Sequence, residues 1–205
     1  MGWTARLTQP SLLWRAAWAY LIYVVLLLAA FAAGYLLLPR GFLRGTPWTA
    51  AGAAAAAPSS PGAQFLLTVG FNLMFALLGV AMNLQRVRGF PAGYLLVFAA
   101  GIGSGIVAGT NSFVQQVISP YTLEGWLVAL RVQHVELLGY TLIAASTIGV
   151  GLTDFSSWLP GKAQEQRIQH WRDIRLGRRE LAGVAAGIAL ILFGAYNETM
   201  LALPG

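Results

Sequence analysis

Residues 16–38 read AAWAYLIYVVLLLAAFAAGYLLL, an unbroken apolar run closed by Pro39 and Arg40. A bilayer core is crossed by about 20 mostly apolar residues in helical form, so this run is long enough to span. Arg6 and Arg15 precede it, giving it the outline of a secretory signal. The apolar part nevertheless exceeds the ~7–15 residues of a cleavable signal core. It reads as a retained first anchor. Trp14, Trp18 and Tyr20 lie near its start, where an interfacial aromatic belt is expected.

Composition extends this reading to the whole chain. Of 205 residues, 57% are hydrophobic and only 10% charged. A soluble domain carries roughly 25% charged residues, so the chain has too little ionic surface to face water all round. With no Cys, it can form neither disulfides nor thiolate metal sites and has no cysteine nucleophile. His134 and His170 are the only histidines and lie far apart in sequence, so no metal site and no cofactor are expected.

Four more apolar runs follow. The second predicted span covers residues 64–83, and the third covers 92–109 between Pro91 and Asn111. The short basic link Gln85-Arg86-Val87-Arg88-Gly89 makes these two an antiparallel hairpin. Residues 41–62 are rich in Ala, Pro, Ser and Gly without a periodic apolar face, and read as a low-complexity external loop. After Ser119-Pro120, the residues Leu123, Trp126, Leu127 and Leu130 form one stripe at helical spacing. This predicts an amphipathic helix over 122–132, interfacial or re-entrant, before a fourth span at 135–152. Residues 154–180 form a basic cytoplasmic loop in which Ile168, Trp171 and Ile174 mark a helix resting on headgroups. A fifth span covers 181–203.

Charge placement orients the five spans. The net charge is +6, from 13 Lys and Arg against 7 Asp and Glu. With the N-terminus cytoplasmic, that side holds Arg6, Arg15, Arg86 and Arg88, together with Lys162, Arg167, Arg172, Arg175, Arg178 and Arg179. Only Arg40, Arg44 and Arg131 fall on the other side. The bias predicts an all-α bundle, N-in and C-out, in the cell membrane. Because the basic residues fall between apolar runs, they indicate topology rather than nucleic-acid binding.

Two residue patterns inside the bundle are candidates for function. Gly101, Gly105 and Gly109 recur every four residues, and Gly183 and Gly187 repeat the spacing in the last span. Such faces let helix backbones approach closely in lipid, either within the bundle or between subunits. The second pattern is polar. Asn72 lies in mid-span, Asn111, Gln115 and Gln116 follow span three, and Arg131, His134 and Glu136 precede or open span four. Asn197 and Glu198 lie in span five. Ionisable groups at membrane depth are costly and require pairing or hydration. Glu136 is the foremost candidate, with Arg131 a possible partner across a bend, and His134 could meet Glu198 or Asn111. No G-x-S-x-G, H-E-x-x-H or P-loop motif is present, and no catalytic residue is expected.

The stretch Glu136-Leu-Leu-Gly-Tyr-Thr-Leu-Ile-Ala-Ala-Ser-Thr-Ile-Gly-Val-Gly resembles the late signature of the stage II sporulation protein M family. Phe71-Asn72-Leu73 and the glycine-rich third span leading to Asn111 are similar as well, so the resemblance covers roughly residues 65–152. Val132 stands where that family has a His four residues before the Glu, and Leu138-Gly139 replaces its Pro-Ala. The resemblance implies a non-enzymatic multi-pass membrane protein that works in a complex. In spore formers such a protein helps anchor peptidoglycan-remodelling partners, a role not extended to this chain.

The functional expectation is a scaffold or subunit of a membrane complex, partnered by lipid and by another membrane protein or a second copy. Alternatives are a transporter or channel component with a polar path through Asn72, Asn111, His134, Glu136 and Asn197, or an accessory subunit of an energy-transducing complex.

Overall fold

The computed structural model describes residues 3–46, 49, 60–113, 119–159 and 161–202. Most of the 41–62 loop, together with Gln115 and Gln116, lies outside the described residues. A short helix α1 (Trp3–Leu7) leads into α2 (Leu12–Leu37), followed by α3 (Pro61–Met82) and α4 (Gly93–Gly109). Then come α5 (Leu123–Arg131), α6 (Gln133–Ser146) and α7 (Arg178–Ala202).

Four helical runs are long and apolar enough to cross a bilayer: Leu12–Leu37, Pro61–Met82, Leu123–Val150 and Arg178–Leu201. The fifth apolar helix, α4, is shorter at 17 residues. Only 17% of the apolar window is buried in each of the first two runs. Leu36, Leu66, Met74 and Leu77 are among the large side chains turned outward. Water would penalise so large an apolar surface, and lipid would not.

The amphipathic segment differs from its expected isolation. The helix α5 is capped by Thr122, whose hydroxyl accepts from the Gly125 amide at 3.2 Å. It then runs into α6 through a single bent residue, Val132. With α6 it belongs to the run Leu123–Val150, which by length and composition could cross a bilayer and whose most apolar window has mean hydropathy 1.3. Beyond Ser146 the chain makes a short 3-10 turn, Ile148–Val150, and leaves the helix before residue 152.

The all-α expectation is corrected by a small mixed sheet. Strands β1 (Gln85–Val87), β2 (Phe90–Pro91), β3 (Thr153–Phe155) and β4 (Glu165–Arg167) stack in the order β2-β1-β3-β4. β1 pairs parallel with β3, placing Arg86 opposite Asp154. Inter-helix links in this position still need partners for their backbone groups, and the two loops supply them to each other. The expected headgroup helix around Ile168, Trp171 and Ile174 is likewise corrected. That segment holds β4 and a 3-10 turn, Trp171–Asp173.

The β1–β2 hairpin turns through Arg88 at φ 54° and Gly89 at φ 76°, the two positive angles of a type I′ turn. Both Asp154 carboxylate oxygens accept from the Gly89 amide, at 3.1 and 3.0 Å. Gly89→Val is expected to cost about 1–2 kcal/mol, because a β-branched residue resists the left-handed region. Arg88→Asn should move stability the other way. Thermal denaturation in detergent checks both signs.

The sheet defines one end of the bundle. Tyr94 donates to the Leu7 carbonyl there at 3.1 Å, and Arg15 joins Glu180 across 3.3 Å. At the opposite end, the Gly41 amide donates to the Thr110 carbonyl at 2.7 Å, and the Tyr121 hydroxyl donates to the Gly109 carbonyl at 2.9 Å.

Candidate functional site

The helix α6 carries His134 and Glu136, two of the polar residues singled out in the sequence, and its rotation divides them. Glu136 faces α3 and α7. Asn72, at the middle of α3, lies about 15 Å from either end of that helix. Its side-chain amide donates to Glu136 Oε1 at 2.7 Å. Gly194 on α7 provides the space, since a Cβ there would collide with the Glu136 Cγ and lie 3.2 Å from its carboxyl carbon. Glu198, one turn further along α7, is within electrostatic reach of Glu136.

The suggested pairing of Glu136 with Arg131 does not form. Arg131 is exposed, and its backbone carbonyl instead accepts from the Asn197 side chain at 3.1 Å. Five residues along a helix turn two side chains to different faces, and the bend at Val132 does not bring them back together. Among the described residues no Lys, Arg or His nitrogen lies within 4.0 Å of the Glu136 or Glu198 carboxylates. Two carboxyl groups within electrostatic reach of each other and without a neighbouring base are the kind of groups that mark proton or cation paths in membranes.

His134 faces the other way, toward α2, and meets neither Glu198 nor Asn111. Its Nδ1 is 2.9 Å from the Tyr20 hydroxyl, and its ring stands edge-on to Tyr23 at 6.1 Å between centroids. Asn111 belongs to the end of the bundle, at φ 51°, where its carbonyl accepts from Arg44 at 3.1 Å. The polar residues therefore form separate sites on different faces and at different depths, not one file.

The glycines lie where helices meet. Gly101, Gly105 and Gly109 turn toward α2, and a Cβ on them would strike Tyr23, Leu27 and Phe31 respectively. On α7, Gly187 meets Gly139 and Ile143, and Gly183 meets Ser146 and Leu12.

Three structural residues escaped the sequence reading. Asn83, fully buried, accepts from the Gly93 amide at 2.9 Å. It also donates to the Ala144 carbonyl at 2.8 Å and to Thr147 Oγ1 at 2.9 Å. Its position at a span end gave no hint of this knot. Arg15, counted only as a topological charge, is 4% exposed and donates through Nε to the Ala145 carbonyl at 2.8 Å. Gly194 was legible in principle, because it stands seven residues after Gly187 and so shares its face.

Removing the amide tests the pair directly. Asn72→Leu leaves Glu136 without its donor and is expected to lower stability by about 1–2 kcal/mol. Glu136→Gln keeps an acceptor oxygen and should stay within about 0.5 kcal/mol of the parent. Equal losses in the two variants would mean that the hydrogen bond is not what Asn72 contributes. Comparison with protein-family models, curated proteins and solved structures returned no match for this chain.

Proposed function

We propose that the chain is a five-span membrane protein, N-in and C-out, acting as a non-enzymatic scaffold or subunit of a membrane complex. The carrying observation is the Asn72–Glu136 bond, a mid-depth polar tie between two helices, with Gly194 making room for it on a third. Interhelical hydrogen bonds of this kind hold helices that gain nothing from burying apolar surface against lipid. The resemblance to the stage II sporulation protein M family through Glu136 and Phe71-Asn72-Leu73 points the same way. The 17-residue α4 counts as the third span because its glycine face lies along α2. Ten of the thirteen Lys and Arg fall on the sheet side of the bundle, which supports placing that side in the cytoplasm.

A second reading, a proton- or cation-transport component, is favoured by Glu198 lying within electrostatic reach of Glu136, with no base within 4.0 Å of either carboxylate among the described residues. Glu136→Gln separates the two readings. A scaffold subunit keeps ion permeability in proteoliposomes unchanged in this variant and co-purifies from native membranes in an assembly larger than its own 21.9 kDa. A flux that the parent supports and the variant loses would replace the scaffold with the transporter.

A further inference from the structure

We infer that the basic cap on the sheet side is a binding surface for anionic phospholipid headgroups. The inference rests on the proposed membrane topology, which sets this cap against one leaflet. Lys162, Arg167, Arg172, Arg175, Arg178 and Arg179 are all exposed. Among the described residues the one ion pair is Arg15–Glu180, so none of these six bases lies within 4.0 Å of a described carboxylate.

Their position makes the imbalance costly. Arg178 and Arg179 open the 25-residue α7, and Arg175 lies just before it. A helix N-terminus carries the positive end of the backbone dipole and favours anions. Three like charges there, with Asp173 the one further acid close by in sequence, favour the approach of an anion from outside. The one acid of the first turn, Glu180, is already engaged by Arg15. Apolar sequence begins immediately afterwards at Leu181, so the unmet charge sits at headgroup level, where phosphates are abundant.

Exposed apolar side chains are interleaved with the bases. Trp158, Leu159, Ile168 and Trp171 are 49%, 59%, 42% and 60% exposed. The Arg172 guanidinium lies 5.1 Å from the centre of the Trp171 ring. Tryptophan beside arginine matches a membrane interface, where the ring meets the acyl boundary and the cation meets phosphate. A soluble polyanion such as RNA or an acidic protein would satisfy the charges but would leave Leu159 and Ile168 facing water. The mixture therefore selects lipid.

The test uses the full chain in nanodiscs of equal phosphatidylglycerol and phosphatidylcholine, with retained lipid counted by native mass spectrometry. The parent protein is expected to retain phosphatidylglycerol about 5-fold or more over phosphatidylcholine, and 0.5 M NaCl should erode that preference through screening. The combined variant Arg172→Gln, Arg175→Gln, Arg178→Gln, Arg179→Gln should bring the ratio close to one. Equal retention of the two lipids by the parent would overturn the inference, as would a preference indifferent to salt. An RNA oligonucleotide that binds the detergent-solubilised protein while phosphatidylglycerol fails to compete would also overturn it. Because the salt arm uses only the parent protein, the result does not depend on the variant folding. Failure of the topology would appear separately, as terminal reporter tags that both lie on the cytosolic side in cells.

Discussion

Gly105→Leu is expected to prevent assembly of the native bundle, with a loss above about 4 kcal/mol and collapse of the monodisperse fraction in detergent. The reason is geometric. Gly105 is buried on the face of α4 that lies along α2. A first side-chain carbon there would run into the Leu27 carbonyl oxygen and come within 2.8 Å of Ala30 Cβ and 2.9 Å of the Phe31 amide nitrogen. Two of those three neighbours are backbone, so no rotamer change can yield space, and α2 would have to move away along its length. Gly105→Ala adds that first carbon alone and should cost about 2–3 kcal/mol by overpacking. Gly70 provides the control, because no described residue lies within 4 Å of a Cβ built there. Gly70→Ala should be neutral or stabilising by up to about 1 kcal/mol, since alanine favours helix over glycine. Size-exclusion profiles after a temperature ramp would order the variants, and a Gly105→Leu protein as stable as the parent would mean that α2 and α4 do not pack this closely.

The second large effect is expected at Asn83, where one side chain joins the end of α3, the start of α4 and the end of α6. Its oxygen takes the Gly93 amide at 2.9 Å, and its nitrogen serves the Ala144 carbonyl and Thr147 hydroxyl. Asn83→Ala leaves the Gly93 amide buried in the first turn of its helix without this acceptor. The expected cost is about 2–4 kcal/mol, combining lost hydrogen bonds with an unsatisfied buried donor. Asn83→Asp discriminates between hydrogen bonding and simple cavity formation. It preserves size and the acceptor for Gly93 but turns a carboxylate oxygen toward the Ala144 carbonyl. If hydrogen bonding governs, Asp should be at least as damaging as Ala; if volume governs, Asp should be nearly harmless. Denaturation midpoints for the two variants decide the matter.

Individual residues show how far sequence reasoning reached. Gly105 belonged to a spacing visible at once, yet the spacing could not say whether the opposing helix came from this chain or another. Glu136 stood out because it opens an apolar run, but its partner Asn72 is 64 positions away, and local pattern proposed Arg131 instead. Asn83 and Arg15 looked like ordinary residues at span boundaries, because nothing in their immediate neighbours records that distant carbonyls converge on them. The sheet was missed for a related reason. Strands of two or three residues carry too little periodicity to be read, and β1 finds β3 only once the helices between them have been placed.

From the sequence alone follow the membrane character of the chain, the approximate extent of its apolar helices and the crowding of arginine and lysine toward one side. Those properties depend on consecutive residues and on their exchange between water and lipid, which act before any two helices touch. The tertiary structure decided that His134 and Glu136 serve different neighbours, that α5 continues into α6, and that the three glycines of α4 are filled by α2. Each of these depends on the rotation and register of one helix against another. Small residues allow many such packings, and only the complete set of contacts selects among them.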